Sequence, residues 1–391
     1  MRLSLRELEL NAGTLLFFLA VHSVAPYIPR YAIALGAREG EVALLGPALS
    51  LMALALRPLS GRLADAGLLR PLLLGGVSSA MVAQLVYASA SNVAALYLGR
   101  VLQGIGVALF IPASIYAATL VGDDREASEA LAWRATVIGL SMTLGPAVGG
   151  LLVSSYGYVS LFVATLACLS ASLVLNSRAP RGLRPRVGRG MNRGRGVLRA
   201  SFLVPLVAVL SYSSLYNSFH LLLPALHESL GAEVAVTSLV FTSYSLASLA
   251  ARLVLAPTSG RVRPLATATL GYALALLGLY AVTSEPASQA TPVLAAVAGF
   301  GAGLLVPSLQ IASILSVEPG SRGLASGVYT AMFDVGNLVG PPLAVALGTT
   351  YSRALGIAVG FGSVGLVALA AYSFRSLIRV AHPSSQGRRG S

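Results

Sequence analysis

Four ionisable side chains stand inside long apolar runs of this sequence: His22, Arg100, His220 and Asp334. Histidine exchanges a proton near neutral pH, and a carboxyl group held away from water favours its protonated form. Arginine stays charged and must find an acceptor. These side chains could therefore carry protons or hold an anionic compound. The alternative is that each one forms a hydrogen bond between packed helices.

Membrane-spanning helices must position these side chains. The 391 residues are 55% hydrophobic and only 10% charged, whereas a soluble domain carries about 25% charged residues because its surface faces water. Apolar runs of about 20 residues match a bilayer core roughly 30 Å thick. The sequence predicts an all-α membrane protein with 12 transmembrane helices. The predicted spans are 12–33, 41–58, 71–91, 93–119, 130–153, 157–177, 201–225, 234–257, 264–284, 291–317, 324–349 and 353–374.

The arginines predict the orientation of the chain in the membrane. Segment 178–200 holds eight arginines and no acidic residue, so it cannot form a buried core and we expect a mobile linker. Arginine-rich loops stay in the cytoplasm, and only Arg30, Arg38 and Arg353 fall on the opposite side. We therefore expect an inner (plasma) membrane protein with both termini in the cytoplasm. Affinity of the linker for anionic lipid is favoured over nucleic-acid binding.

An internal repeat divides the chain into two halves. Four short patterns recur in the same order at offsets of 195 to 199 residues. They are His22 to Pro26 with His220 to Pro224, Pro58 to Arg62 with Pro257 to Arg261, Gly104 to Pro112 with Gly299 to Pro307, and Gly145-Pro146 with Gly340-Pro341. Six spans in each half is an even number, so the halves insert in the same sense. They are then related by a pseudo-twofold axis along the membrane normal.

The repeat predicts the domain organisation. We expect an N-terminal six-helix bundle over 1–177, an arginine-rich cytoplasmic linker over 178–200, a C-terminal six-helix bundle over 201–378 and a cytoplasmic tail over 379–391. The pseudo-twofold axis would place His22 and His220 across a central cavity from each other.

Several classes of site are excluded. The single cysteine, Cys168, rules out a cysteine-rich metal or cluster site. A phosphate-cradling Walker loop is absent from the sequence, as is any His, Cys and carboxylate cluster with metal-ligand spacing. We expect neither an enzyme nor a cofactor or metal. Nothing in the sequence indicates an obligate oligomer, so a monomer in the lipid bilayer is expected.

Three motifs resemble those of the major facilitator superfamily. The loop after span 2 carries Gly61, Asp65 and Arg70, similar to the family's Gly-x-x-x-Asp-Arg-x-Gly-Arg-Arg. Physically, Gly61 permits a close helix approach, and Asp65 can accept hydrogen bonds at a helix N-terminus. Two further motifs are Arg-x-x-Gln-Gly-x-Gly in span 4 and Gly-Pro-x-x-Gly-Gly in span 5. Their residues are Arg100, Gln103, Gly104 and Gly106, and Gly145, Pro146, Gly149 and Gly150.

The resemblance implies a rocker-switch transporter without a cofactor. Spans 1, 4, 7 and 10 would line a central cavity, and spans 2, 5, 8 and 11 would form a sliding interface between the halves. Gly61, Asp65 and Arg70 would form a cytoplasmic gate loop. Further polar cavity residues would be Tyr27, Gln103, Tyr212, Tyr216, Asn217 and Gln310. The hinge of the sliding interface would hold Gly145, Pro146, Gly149, Gly150, Gly336, Gly340 and Pro341.

Three functions remain open. The first is proton-coupled export of small amphipathic compounds or metabolites, in which Asp334 carries the proton and Arg100 has a coupling role. The second is an uptake symporter for a sugar or an organic anion, which His22, His220 and Arg100 would bind. The third is a membrane scaffold or receptor that transports nothing, which is disfavoured because a scaffold has no need for charges inside the membrane.

Overall fold

The computed structural model describes residues 5–178, 183, 195–286 and 288–381. Most of the predicted linker over 178–200 and most of the predicted tail over 379–391 lie outside these ranges. The helices are α1 (Leu5–Val24), α2 (Ile28–Ala34), α3 (Glu39–Asp65), α4 (Leu69–Ala88), α5 (Val93–Thr119), α6 (Asp124–Arg178), α7 (Ala200–Ser229), α8 (Val234–Leu255), α9 (Pro264–Ser284), α10 (Thr291–Leu315), α11 (Arg322–Leu347) and α12 (Tyr351–Ala381). Short 3₁₀ turns precede α7 and α11, at Arg195–Leu198 and Pro319–Ser321.

The helices supply twelve membrane spans. Helices α1 and α2 together form the first span and part near Pro26, whose missing N–H cannot continue the helical hydrogen bonding. Helix α6 has 55 residues, which at 1.5 Å per residue is long enough to cross a bilayer twice. It is interrupted at Gly157, where φ is 81°, a conformation that glycine adopts without a steric penalty. The two parts of α6 are therefore spans five and six.

The twelve spans form two six-helix bundles related by a pseudo-twofold axis, as the repeat predicts. The first span of each half packs on the fifth, so that α1 contacts α6 and α7 contacts α11. The core of the N-terminal half includes Phe17, Phe110 and Tyr116. The core of the C-terminal half continues across the interface to Ile115 and Leu131 of the N-terminal half. The halves are thus joined by buried apolar packing.

The contact between the halves is closed at one end and open at the other. We call the end where α6 finishes and α7 begins the linker end, and the opposite end the far end. At the linker end, Gly61 of α3 lies against the backbone of Gly323 in α11. Toward the far end, Gly46 of α3 has no atom within 4 Å of where a side chain would begin, and Val345 of α11 is 49% exposed. Helices α3 and α11 therefore diverge toward the far end.

Candidate functional site

A buried ion pair joins the two halves between α3 and α11. Nε of Arg57 lies 3.0 Å from Oδ2 of Asp334, and both side chains are at most 10% exposed. The two atoms are in ionic contact, although the N–H bond does not point at that oxygen. Nη1 of Arg57 also donates to the carbonyl oxygen of Thr330, one turn before Asp334. Arg57 therefore holds α11 through both a charge and a backbone oxygen.

The ion pair lies at the floor of the opening between the halves. One turn toward the far end, Nδ2 of Asn337 donates to Oγ of Ser50 at 3.2 Å. Beyond that contact the helices separate at Gly46. Asp334 is thus one helical turn below the place where the opening begins.

A second arginine makes the corresponding contact from the other half. Nη1 of Arg252 in α8 donates to the carbonyl oxygen of Ala135 in α6 at 2.7 Å. Ala135 and Thr330 are 195 residues apart, the offset that also relates Gly145 to Gly340. At the position equivalent to Asp334, α6 carries Gly139. The side chain of Arg252 packs directly against this glycine. The repeat therefore supplies two arginine contacts but only one carboxylate.

A third arginine is buried near the linker end. Nε and Nη2 of Arg134 in α6 donate to Oγ of Ser114 at 3.0 and 2.7 Å. Its guanidinium carbon lies 5.9 Å from the ring centre of Phe18, within the range of a cation–π contact. The field of Arg57 reaches Arg134, so the two like charges repel each other.

The sequence-based selection of four ionisable residues in the membrane was incomplete. The structure adds Arg57, Arg134 and Arg252, each at most 8% exposed. All three fall inside predicted spans but within five residues of a span end, where an arginine is usually expected to extend to water. Their inclusion in a predicted span was the signal that could have identified them.

The linker end is closed by a carboxylate at a helix N-terminus. Oδ1 of Asp65 accepts from the backbone N–H of Gly323, and Oδ2 from that of Leu324, both at 2.8 Å. These are among the first N–H groups of α11, which have no partner inside the helix. The negative charge also lies at the positive end of the α11 dipole. Asp65 is thus an anchor between the halves.

A more exposed ion pair lies beside this anchor. Nη2 of Arg322 at the start of α11 is 2.8 Å from Oδ1 of Asp124 at the start of α6. The Arg322 side chain is 4% exposed, but that of Asp124 is 64% exposed. Arg70, predicted as part of the gate loop, is exposed in the first turn of α4 and is in no ion pair found among the described residues.

His22 is held within the N-terminal half. Its Nδ1 lies 2.9 Å from Oγ of Ser141 in α6, and its ring stacks on Phe18 with 5.6 Å between the ring centres. The charge that acts on His22 from the other half is that of Arg252. Among the described contacts, none joins His22 to His220, so their pairing across the cavity stays a prediction.

His220 belongs to a group of aromatic rings on α7 and α8, which we call the aromatic shelf. Its members are Tyr212, Tyr216, His220, Phe241 and Tyr244. The ring centre of His220 lies 4.0 Å from that of Tyr216 and 4.8 Å from that of Phe241. The hydroxyl oxygens of Tyr212 and Tyr244 are 2.6 Å apart. The hydroxyl groups of Tyr212, Tyr216 and Tyr244 lie within electrostatic range of the Arg252 cation.

Arg100 is part of a hydrogen-bonded group inside the N-terminal half. Its Nη1 donates to Oε1 of Gln103 at 3.1 Å, and the hydroxyl of Tyr87 donates to the same oxygen at 3.0 Å. Nε of Arg100 and Nε2 of Gln103 are buried without a partner. Arg100 is in no ion pair found among the described residues.

Two of the other predicted cavity residues, Tyr27 and Asn217, bond within their own half. The hydroxyl of Tyr27 donates to the carbonyl oxygen of Pro146 at 2.7 Å. Nδ2 of Asn217 donates to the carbonyl oxygen of Ser213 in its own helix at 2.7 Å. Gln310 is buried in α10. These contacts fix the orientation of the Tyr27 and Asn217 side chains within each half.

The predicted hinge glycines have a different location from the one expected. They permit close packing on the first span of their own half, rather than on the opposite half. Gly145 and Gly149 lie against His22 and Ser23 of α1. The residues concerned are Gly145, Pro146, Gly149 and Gly150 in α6, and Gly336, Gly340 and Pro341 in α11. Small residues show that a neighbouring helix comes close, but they do not show which helix it is.

Taken together, the interface between the halves carries two arginines, Arg57 and Arg252, and one carboxylate, Asp334, with a third arginine, Arg134, nearer the linker end. Such a site can titrate a proton at Asp334 and attract an anion at an arginine. No group of three or more His, Cys, Asp or Glu residues that could hold a metal ion occurs among the residues that the structure describes.

Known proteins place this chain in a family. The model of the Major Facilitator Superfamily matches residues 10–219 and 204–390. Methylenomycin A resistance protein of Streptomyces coelicolor is 25% identical over 377 residues, covering 80% of this chain and 78% of the relative. Tetracycline resistance protein, class G, of Vibrio anguillarum is 26% identical over 319 residues, covering 75% of this chain and 76% of the relative.

Solved structures share the fold. The human organic anion transporter MFSD10 (TETRAN) superposes with a TM-score of 0.76 at 17% identity, covering 93% of this chain and 98% of the other. A bacterial homologue of the iron transporter ferroportin in an outward-facing state has a TM-score of 0.78 at 14% identity, covering 95% of this chain and 100% of the other. With twelve apolar spans and a family match along nearly its whole length, the chain is a multi-pass membrane transporter of the Major Facilitator Superfamily.

Proposed function

We propose that this chain exports small amphipathic compounds in exchange for protons, by rocker-switch alternating access. The single observation that carries the proposal is the buried ion pair between Arg57 and Asp334, because it joins the two halves through a group that can be protonated. The relatives named as resistance proteins against methylenomycin A and tetracycline support export as the direction.

The proposal assigns the two ends of the molecule to the two sides of the membrane. Segment 178–200 holds eight arginines, and arginine-rich segments stay in the cytoplasm, so the linker end is cytoplasmic. The open far end then faces outside, and the described conformation is outward-open. The bundles over 1–177 and 201–378 are the two rigid bodies that tilt, and each contains one of the arginines that contact the opposite half.

Protonation of Asp334 is the step that couples the two fluxes. A proton from outside reaches the floor of the opening and neutralises the carboxylate, so Arg57 loses its counter-charge. The ionic contact between α3 and α11 then weakens, and the linker end can open to the cytoplasm. A compound that enters from the cytoplasm favours release of the proton there. The restored ion pair closes the linker end and exposes the compound to the outside.

The test compares two kinds of transport in liposomes that contain the full chain. The panel of solutes is methylenomycin A, a tetracycline and a quinolone, with a pH-sensitive dye inside the vesicles. In the wild type, a pH gradient drives solute movement against its gradient, and solute evokes proton movement. In Asp334→Asn, solute counterflow without a pH gradient persists, because it requires the tilt but no proton. Proton-driven transport falls at least about tenfold, which corresponds to 1.4 kcal/mol.

The matched control is Asp124→Asn, which removes a carboxylate from the same interface. The Asp124 side chain is 64% exposed, so we expect the control to keep both kinds of transport. An unchanged proton-to-solute ratio in Asp334→Asn contradicts the coupling role of Asp334. Solute movement in the import direction alone, driven by the proton gradient, contradicts export.

Uptake symport of a small organic anion is the second candidate. The observation that favours it is that two buried arginines, Arg57 and Arg252, contact the opposite half with one carboxylate, Asp334, between them. It differs from export in the direction of the proton and solute fluxes, which the same vesicles measure. Both candidates share the outward-open conformation and the ion pair.

A further inference from the structure

We propose that Arg252 is the binding site for the anionic group of the transported compound, and that the aromatic shelf holds the ring attached to that group. The inference rests on the proposed transport function and deepens it by naming the substrate class as aromatic or amphipathic anions. It follows from the different surroundings of Arg252 and Arg57.

The cation of Arg252 has no acidic partner among the residues that the structure describes. The three ion pairs found among the described residues join Arg57 to Asp334, Arg125 to Glu129 and Arg322 to Asp124. Arg252 is only 8% exposed, so it is as buried as Arg57. An uncompensated charge in this environment is costly, which makes the position an attractive one for a negative ligand.

The guanidinium of Arg252 retains an unused donor. Nη1 is occupied by the carbonyl oxygen of Ala135 at 2.7 Å, but Nε is buried without a partner. A guanidinium offers its N–H groups in a planar fork that matches the two oxygens of a carboxylate. One bond to Ala135 fixes the plane of the fork and leaves Nε–H available to an anion.

Gly139 explains why the site has no internal carboxylate. It stands at the position equivalent to Asp334, and a side chain added there would begin 2.9 Å from Cδ and 3.0 Å from Nη1 of Arg252. An aspartate at 139 would therefore meet Arg252, as Asp334 meets Arg57. The absence of a side chain at Gly139 keeps the cation free for a ligand.

The aromatic shelf indicates that the ligand also carries an aromatic ring. The field of Arg252 reaches the hydroxyls of Tyr212, Tyr216 and Tyr244, while His220 and Phe241 extend the ring surface with centres 4.8 Å apart. Tyr216, His220 and Phe241 are only partly buried, so part of their ring surface remains accessible. His22 of the opposite half is also within the field of Arg252. An anion at Arg252 would thus place an attached ring against the shelf, between the two halves.

The experiment measures equilibrium binding of radiolabelled 1-naphthoate to the purified full chain in lipid nanodiscs, with empty nanodiscs as the blank. The uncharged 1-naphthamide, of nearly the same shape, is the matched ligand. Hydrogen bonds to charged groups contribute about 1.5–3 kcal/mol, which is about ten- to a hundredfold in affinity. We expect the wild type to prefer the carboxylate by at least tenfold and Arg252→Gln to lose this preference while it still binds the amide.

A pair of variants at Gly139 separates the charge from the shape. Gly139→Asp supplies an internal counter-ion and should lower naphthoate affinity at least tenfold, with amide affinity retained. Gly139→Asn, of the same size but neutral, should retain a naphthoate affinity well above that of Gly139→Asp. Both variants add a Cβ at the same place, 2.9 Å from Cδ of Arg252, so they displace its side chain alike and a purely structural role of Arg252 predicts no difference between them.

Two outcomes overturn the inference: equal binding of naphthoate and naphthamide by the wild type, or equal naphthoate affinity in Gly139→Asp and Gly139→Asn. Binding at equilibrium requires neither a proton gradient nor turnover. A negative result in the binding experiment therefore leaves the transport test unaffected. If proton-coupled transport fails instead, the preference for the anion can still be measured.

Discussion

Gly139 of α6 occupies the position that Asp334 occupies in α11, and each faces an arginine of the opposite half. Arg252 stands one helical turn before the position that the repeat makes equivalent to Arg57. Both arginines nevertheless donate to equivalent carbonyl oxygens, those of Thr330 and Ala135. The interface therefore retains the symmetric backbone contacts and differs in charge. One side has a titratable ion pair, and the other has a cation with no acidic partner in the described part of the chain.

The difference matters because charges inside a membrane protein are expensive unless they are paired. Asp334 lowers the free energy of burying the charge of Arg57, whereas the described partner of Arg252 is a backbone oxygen. We infer that the two sides have separate roles, with proton exchange at Asp334 and anion binding at Arg252.

Breaking the Arg57–Asp334 ion pair should destabilise the chain more than replacing both partners. Removing one partner of a buried pair costs about 3–5 kcal/mol, because the remaining charge is uncompensated. We expect Arg57→Gln to lower the thermal unfolding midpoint in detergent, and the double variant with Asp334→Asn to recover at least half of the loss. Differential scanning fluorimetry measures both. Additive losses in the double variant would show that the two charges do not interact.

Gly61→Ala should force the linker end apart. A side chain at 61 would collide with the carbonyl oxygen of Gly323, a backbone atom that cannot move without shifting α11. We expect a shift away from the described conformation, measured as a longer distance between spin labels at the exposed residues Arg62 and Arg263 in a Cys168→Ser background. The control is Gly46→Ala on the same helix, where the space is open. A similar response of both variants would argue against the close approach.

Asp65→Asn should loosen the same closure through charge rather than volume. The asparagine has one acceptor oxygen, whereas the carboxylate accepts from both Gly323 and Leu324. Loss of the charge at a helix N-terminus costs up to about 2 kcal/mol in partly buried geometries. The spin-label distance should lengthen in a fraction of molecules. Arg70→Gln, an exposed residue of the same loop, should leave the distance distribution unchanged, and a shift there would assign the effect to the loop as a whole.

Asp124→Asn should have little effect on stability. Its partner Arg322 is buried, but Asp124 itself is 64% exposed, and ion pairs that include an exposed group typically contribute about 0–1 kcal/mol. Arg322 also keeps its bond from Nε to the carbonyl oxygen of Val317 at 3.3 Å. The unfolding midpoint should therefore fall much less than in Arg57→Gln. An equal fall would mean that the linker-end ion pair, rather than the floor, holds the halves together.

The architecture of this protein follows from its amino-acid sequence alone. Twelve spans, two parallel halves and the transporter family follow from hydropathy, from the offset that relates Gly145 to Gly340, and from three motifs. These properties can be read locally, because each segment must be apolar to enter the bilayer regardless of its neighbours. The placement of Asp65 at a helix N-terminus was also foreseeable, since a carboxylate after a helix end needs free N–H donors.

Which side chains meet across the interface depends on the tertiary structure. Arg57 and the carbonyl oxygen of Thr330 are 273 residues apart in sequence, and their contact depends on how two rigid bundles tilt and how each helix is rotated. The same is true of Arg252 over Gly139 and of the hinge glycines, which pack on α1 and α7. Hydropathy predicts that a residue lies within the membrane. The partner that compensates its charge depends on how the helices of both halves pack together.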